Sequence, residues 1–143
     1  MKREFEFEKD NDTVIMEIFV TAPNNPMSKK SYGSSLMSIE VRTREGYNVP
    51  HIHFKKNNGV KGCIKIHESG YFSHPGYTGT LNNTEAETLN IWMKKPYPND
   101  DVYPPRTHWN FIKDFWNEKE PEHPILTEEQ PDYTIINKTG IMR

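Results

Sequence analysis

Pro50-His51-Ile52-His53-Phe54-Lys55-Lys56-Asn57-Asn58-Gly59-Val60-Lys61-Gly62-Cys63-Ile64-Lys65-Ile66-His67 is the stretch that decides how this chain folds. Two short strand-like runs flank Asn57-Asn58-Gly59. Asparagine and glycine tolerate the left-handed backbone of a tight hairpin turn. Two registers compete. A two-residue Asn58-Gly59 turn pairs Phe54 with Cys63 and Ile52 with Lys65, which mixes polar and apolar groups on both faces. A three-residue loop with Gly59 left-handed pairs Ile52 with Ile64 and sets Pro50 against Ile66. The second register gives one apolar face. It is preferred because a one-residue slip moves every side chain to the other side of a sheet. The opposite face then carries His51, His53, Lys55, Lys61, Cys63, Lys65 and His67, with His53 facing Cys63.

Working outward toward the N-terminus, residues 36–42 alternate, with Met37, Ile39 and Val41 against Ser38, Glu40 and Arg42. Residues 13–20 are nearly all apolar and read as a more buried strand. Residues 3–8 set Phe5 and Phe7 against Glu4, Glu6 and Glu8, the period of a half-exposed strand. Toward the C-terminus, residues 70–79 form a glycine- and aromatic-rich loop, Gly-Tyr-Phe-Ser-His-Pro-Gly-Tyr-Thr-Gly. Thr84-Glu85-Ala86-Glu87 has the pattern of a capping box and opens a helix that runs to about Lys94. Ala86, Leu89, Trp92 and Met93 make its apolar stripe. Pro96, Pro98, Pro104 and Pro105 stiffen the connector that follows. A second helix starts near Thr107 and ends before Pro121, with Trp109, Ile112 and Trp116 at helical spacing and Phe111 and Phe115 widening the stripe.

Residues 118–132 hold six acids, one lysine and three prolines, and read as an exposed arm. Residues 133–136 read as a last edge strand. The expectation is therefore one α+β domain over residues 1–117, an antiparallel sheet of five to six strands with two helices packed on one face. An acidic, proline-rich arm over residues 118–143 follows it.

Composition narrows the function. The 143 residues suit one domain, and 18 Lys+Arg against 20 Asp+Glu leave a formal charge of -2. That balance argues against a general nucleic-acid binder. A single cysteine excludes an internal disulfide and a cysteine-rich zinc module. No apolar run approaches the roughly 20 residues of a spanning helix, and the charged start has no signal-like apolar region. A cytoplasmic protein without a membrane partner is expected.

Pro50-His51-Ile52-His53-Phe54, the strand Ile64-Lys65-Ile66, Gly79, Leu81 and a helix with Glu87, Leu89 and Trp92 carry a resemblance. Over residues 47–93 the chain resembles a small uncharacterised bacterial family with a PHxHF-type strand, often encoded near toxin–antitoxin-like genes. The second helix, ending in Trp116-Asn117, extends the likeness. The resemblance implies a compact α+β unit and supplies no established chemistry.

Residues 46–67 hold four lysines, three histidines and no acid, in a chain that is net negative. Such a run concentrates an anion. Tyr71, Phe72 and Tyr77 in the adjoining loop can stack on a planar group. The leading reading is a non-catalytic small-anion or nucleotide-binding regulatory protein without a cofactor. Its ligand-binding residues are His51, His53, Lys55, Lys65, His67, Tyr71, His74 and Tyr77. An alternative is a metal-dependent enzyme in which His51, His53 and His74 hold a divalent transition metal. Lys55 and Lys65 on the same face, and the lack of an acid, count against a cation there. A third reading is an antitoxin-like module that meets a protein partner through the acidic arm. Cys63 beside His53 is a candidate nucleophile, although neighbouring lysines alone do not activate a thiol. His108 falls in the apolar arc of the second helix and is expected to be packed and hydrogen-bonded.

Overall fold

A computed structural model describes residues 12–19 and 35–139. Four strands come first: β1 (Thr13–Phe19), β2 (Ser35–Arg42), β3 (His51–Lys56) and β4 (Lys61–Lys65). They form an antiparallel sheet in the order β1-β2-β3-β4. Two helices follow, α1 (Asn83–Met93) and α2 (His108–Lys119), and then a 3-10 turn (Tyr133–Ile135) that runs into the short helix α3 (Ile136–Thr139). The fold is α+β. The described sheet has four strands rather than five to six. The strand expected over residues 3–8 lies outside the described residues. The edge strand expected at residues 133–136 is helical instead, because Asp132 caps the turn by accepting from Thr134 N at 3.0 Å.

The hairpin adopts the register that keeps its apolar residues together. Ile52 pairs with Ile64 and His53 with Cys63. Gly59 takes φ 94°, and its N–H donates to Lys56 O at 2.9 Å, closing the three-residue loop. Pro50 O accepts from Ile66 N at 3.1 Å, extending the pairing as the pattern predicts. Across the sheet, Met16 faces Ile39 and Ile39 faces Phe54. These rows, with Ile52, Ile64 and Ile66, form the core face. Leu89, Trp92, Trp109, Ile112 and Trp116 of α1 and α2 cover it. The next row over, on the other face, is Glu40, His53 and Cys63.

The caps show both the strength and the limit of local patterns. Thr107 caps α2, its side chain accepting from Asn110 N. The α1 capping box is Asn82 with Glu85, two residues before the expected Thr84 with Glu87. Glu85 is fixed there because its Oε1 also accepts from Lys56 Nζ at 2.9 Å. A contact from β3 thus chooses between two overlapping cap signals.

The acidic arm is not exposed as a whole. Ile125, Tyr133 and Ile136 are buried in the common core. Asn117 holds Ile125 at both its N–H and its carbonyl, at 2.7 and 3.2 Å, and Trp116 Nε1 donates to His123 O at 2.9 Å. Asn90 Oδ1 accepts from Tyr133 N at 2.9 Å. The acids sit on the outer side while three spaced apolar residues anchor the segment. An acid count alone therefore misjudges it.

The segment that matters most for the site is residues 70–79. Both its ends pair with β4. Lys65 N donates to Gly70 O at 2.9 Å, Phe72 N to Cys63 O at 3.0 Å, and Gly79 N to Lys61 O at 2.7 Å. Gly62 makes this possible. A Cβ there would lie 2.4 Å from Gly79 O and 2.5 Å from Phe54 Cζ, closer than atoms approach. With both ends pinned, the middle of the loop arches over the face that bears His53 and Cys63.

Candidate functional site

That arch buries the part of the hairpin face that carries the histidines and the cysteine. His51 and His53 are 0% and 2% exposed, and Cys63 is 1% exposed. Phe72 stacks on His51 at 4.2 Å, and Tyr77 meets His53 edge-on at 4.7 Å. Tyr47, from the β2–β3 connection, contacts His51, Phe72 and His74 at 5.5, 5.5 and 4.9 Å. The result is a group of four donors, His51, His53, Cys63 and His74, with one ligand atom from each lying within 4.8 Å of the others.

The hydrogen bonds around these rings set their tautomers. His51 Nδ1 lies 2.7 Å from Val49 O, and His74 Nδ1 lies 3.1 Å from Pro75 O. A carbonyl only accepts, so in each ring the proton is on Nδ1 and the lone pair is on Nε2. Both Nε2 atoms are buried without a hydrogen-bond partner among the described residues. Buried polar atoms are nearly always partnered, so two such nitrogens in one cluster call for an explanation. His53 Nδ1 lies 3.4 Å from Cys63 Sγ, while its Nε2 lies 3.4 Å from Glu45 Oε1. Glu45 Oε1 is also 3.6 Å from His51 Nε2, beyond hydrogen-bond reach.

Burial sets the protonation. Desolvation, helped by the Arg42 charge, lowers the His53 pKa to about 4, and desolvation lowers that of His51 as well. Both rings are neutral near pH 7, the form that binds metals. Burial pushes the Cys63 thiol up to about 12. A thiol held so firmly protonated is a poor nucleophile at neutral pH, so Cys63 lacks the activation a catalytic cysteine needs. A metal ion would deprotonate it outright.

The eight residues expected to bind a ligand fall into separate places. His51, His53, His74 and Tyr77 come together. Tyr71 pairs with Ile64, packs against the core, and its hydroxyl donates to Asn137 Oδ1 at 2.7 Å. Alternation along the loop sends Tyr71 inward and Phe72 to the site. Lys65 is paired with Glu68 at 3.0 Å. Lys55 is exposed and faces Lys61 at the turn end of the hairpin. His67 lies one step beyond the His51–Lys65 pair and outside the cluster of donors. Cys63 joins the cluster, and its cross-strand pairing with His53 is the sequence signal for it. Glu45 and Tyr47 precede β3 and have no periodic signal. Glu45 lies one residue before the acid-free run and supplies the carboxylate that the run lacks. His108 is packed as expected, stacked on Trp92 at 3.8 Å with Nδ1 2.9 Å from both Trp92 O and Lys95 O.

No protein-family model matches the chain, and no curated protein or solved structure is significantly similar to it. Among the described residues, no helix is long and apolar enough to cross a membrane.

Proposed function

We propose that the protein binds a borderline-soft transition-metal ion, zinc in the first place, through His51, His53, Cys63 and His74. The observation that carries this reading is the pair of buried, unpartnered Nε2 atoms on His51 and His74, beside a third imidazole and a thiol. Three imidazoles and one thiolate suit zinc and exclude calcium and magnesium, which take oxygen ligands. Tetrahedral zinc with bonds of about 2.0–2.3 Å separates its ligands by roughly 3.3–3.8 Å, a small contraction from the present spacing. Four protein donors leave no open position, so the ion acts on structure rather than as a hydrolytic catalyst. It fastens the loop over residues 70–79 to β3 and β4. The protein is then a metal-stabilised or metal-responsive binding protein.

The test is elemental analysis of the purified protein, followed by zinc titration against a competing chelator. One equivalent per chain is expected, with uptake lost in His51→Ala and His74→Ala. Failure of wild-type protein to take up zinc, cobalt, nickel or copper would overturn the reading.

A second reading is favoured by one observation, the direct pairing of Lys55 with Lys61. Like charges facing each other are costly unless something offsets them. Tyr77 sits beside this pair, 5.4 Å from Lys61 Nζ. A small planar anion, such as a nucleotide, suits that end of the hairpin. Its binding would survive chelation and weaken with salt, which separates it from the metal reading.

A further inference from the structure

We infer that Glu45 is a positioning residue that holds His53 as the Nε2–H tautomer, so that His53 offers Nδ1 beside Cys63. The inference deepens the metal-centre reading and rests on it for its consequence: Glu45 stays outside the coordination shell.

His53 Nε2 and Glu45 Oε1 are 3.4 Å apart, and a carboxylate can only accept. The proton between them therefore belongs to Nε2. The Nδ1 lone pair then points at Cys63 Sγ, 3.4 Å away, where the thiol donates to it in the metal-free protein. His51 and His74 have their tautomers fixed by backbone carbonyls, which no side-chain substitution removes. Only His53 depends on a side chain for its tautomer. Histidine ligands commonly donate their second N–H to a carboxylate, which orients the ring and raises its basicity.

The chain around Glu45 is built to hold it there. Arg44 has φ 65° and Gly46 φ 93°, so Glu45 sits between two left-handed residues. A non-glycine residue in that region is costly and persists only where its surroundings fix it. Here they do. Arg44 N donates to the carboxylate of Glu120, just past α2. Arg44 Nε pairs with Asp12 at 3.1 Å, and Thr43 N and Oγ1 both donate to Asp12 O, at 2.9 and 2.8 Å. On Glu45 itself, Arg42 lies 3.6 Å from Oε2, which leaves Oε1 turned to the histidines. Glu45 is outside the group of donors that lie within 4.8 Å of one another. It meets His53 on the Nε2 side, with Cys63 on the Nδ1 side, and its Oε1 lies 3.6 Å from His51 Nε2.

Two measurements test this, and the first needs no metal. Two-bond proton–nitrogen correlations on the metal-free protein report which imidazole nitrogen carries the proton. His53 is expected as Nε2–H in the wild type, with the Nδ1–H form appearing in Glu45→Ala. A wild-type His53 protonated on Nδ1, or a tautomer indifferent to Glu45→Ala, would overturn the inference. The second is metal affinity. Glu45→Ala is expected to weaken zinc by about 10–100-fold, and Glu45→Gln by less, since its carbonyl still accepts without a charge. The thiolate-to-cobalt absorption of the cobalt-loaded protein should persist in both variants. A wild-type cobalt spectrum that lacks thiolate absorption and changes its ligand field in Glu45→Ala would make Glu45 a ligand in place of Cys63 and overturn the inference. If the tautomer result holds and no metal binds, the metal reading falls and the positioning role of Glu45 stands.

Discussion

Cys63 Sγ and His53 Nδ1 face each other across β3 and β4 at 3.4 Å, and both residues are buried. The contact follows from the register alone, because cross-strand partners on one face are near neighbours. It places a soft donor among imidazoles and separates the reading of a thiolate-containing centre from an all-histidine one. Cys63→Ser keeps the shape and replaces the soft ligand by a hard, weakly acidic one. The expected outcome is cobalt(II) binding without thiolate charge-transfer absorption and with much reduced affinity. An unchanged cobalt spectrum in Cys63→Ser would place the ion elsewhere.

Gly62 tests the scaffold of the site without touching a donor. A methyl group at this position meets Gly79 O and the Phe54 ring, so the paired backbone at Gly79 or the packed ring must shift to admit it. Gly62→Ala should lower stability by about 1–3 kcal/mol, the usual range for overpacking. It should also weaken metal binding, because the strap that carries His74 must lift off β4. Gly70→Ala is the control, since an added Cβ there meets nothing within 4 Å. Chemical denaturation of both variants decides the point; equal losses would mean that crowding at Gly62 is not what matters.

His108 predicts an acid limit that is independent of the metal. Burial, as the largest cause, lowers its pKa from 6.5 to about 4. Between those values the unfolded chain takes up a proton that the folded protein refuses. Stability is therefore full above pH 6.5 and is lost as pH falls toward 4. That lowering corresponds to a loss on the order of 3 kcal/mol. His108→Asn should be less stable at pH 7, because it gives up the stacking on Trp92. With chelator present, its stability should fall less steeply over the same interval. Equal pH slopes for the two proteins would show that His108 titrates normally.

Trp109 and Tyr133 tie the arm to the sheet. Trp109 Nε1 and Tyr133 Oη both donate to Ile66 O, at 3.1 and 2.5 Å. Trp109→Ala should cost about 3–5 kcal/mol, as expected for a fully buried ring. Tyr133→Phe keeps the ring and removes one donor. Because Trp109 still satisfies the carbonyl, its cost should be only about 0.5–1.5 kcal/mol. A Trp109→Ala loss below about 1 kcal/mol would be a surface value and would contradict its burial.

What the sequence makes legible is what depends on near neighbours. The pairing of Ile52 with Ile64, the left-handed Gly59, the Thr107 cap and the buried Trp109 each follow from a pattern within a few residues. The misreadings have a common cause in contacts from far along the chain. Lys56 moves the α1 cap to Asn82. Ile125 and Tyr133 draw an acid-rich segment into the core. The loop over residues 70–79 pairs with β4 at both ends, and its alternation exchanges Tyr71 for Phe72. Glu45 is invisible to periodicity because its direction is set by two left-handed neighbours, Arg44 and Gly46, the first of them held by Asp12 and Glu120.

Metal binding should itself stabilise the fold, since the donors come from β3, β4 and a loop that unfolding separates. An ion that binds only the folded state adds about 2.7 kcal/mol at a free concentration one hundred times its Kd. For a chain of this size that is a rise in Tm of roughly 5–10 °C. Zinc should produce the rise and a chelator should reverse it, while magnesium should do nothing because it avoids nitrogen and sulfur donors. The gain should shrink as pH falls, because protons compete with metal for imidazole and thiolate. His74→Ala should fold, since His74 sits on the loop and only partly in the interior. It should nevertheless lose most of the zinc-dependent rise. Thermal melts of wild type and His74→Ala, with zinc and with chelator, give four curves. Equal zinc shifts in the two proteins would remove His74 from the site and, with it, the role of the metal in fastening the loop.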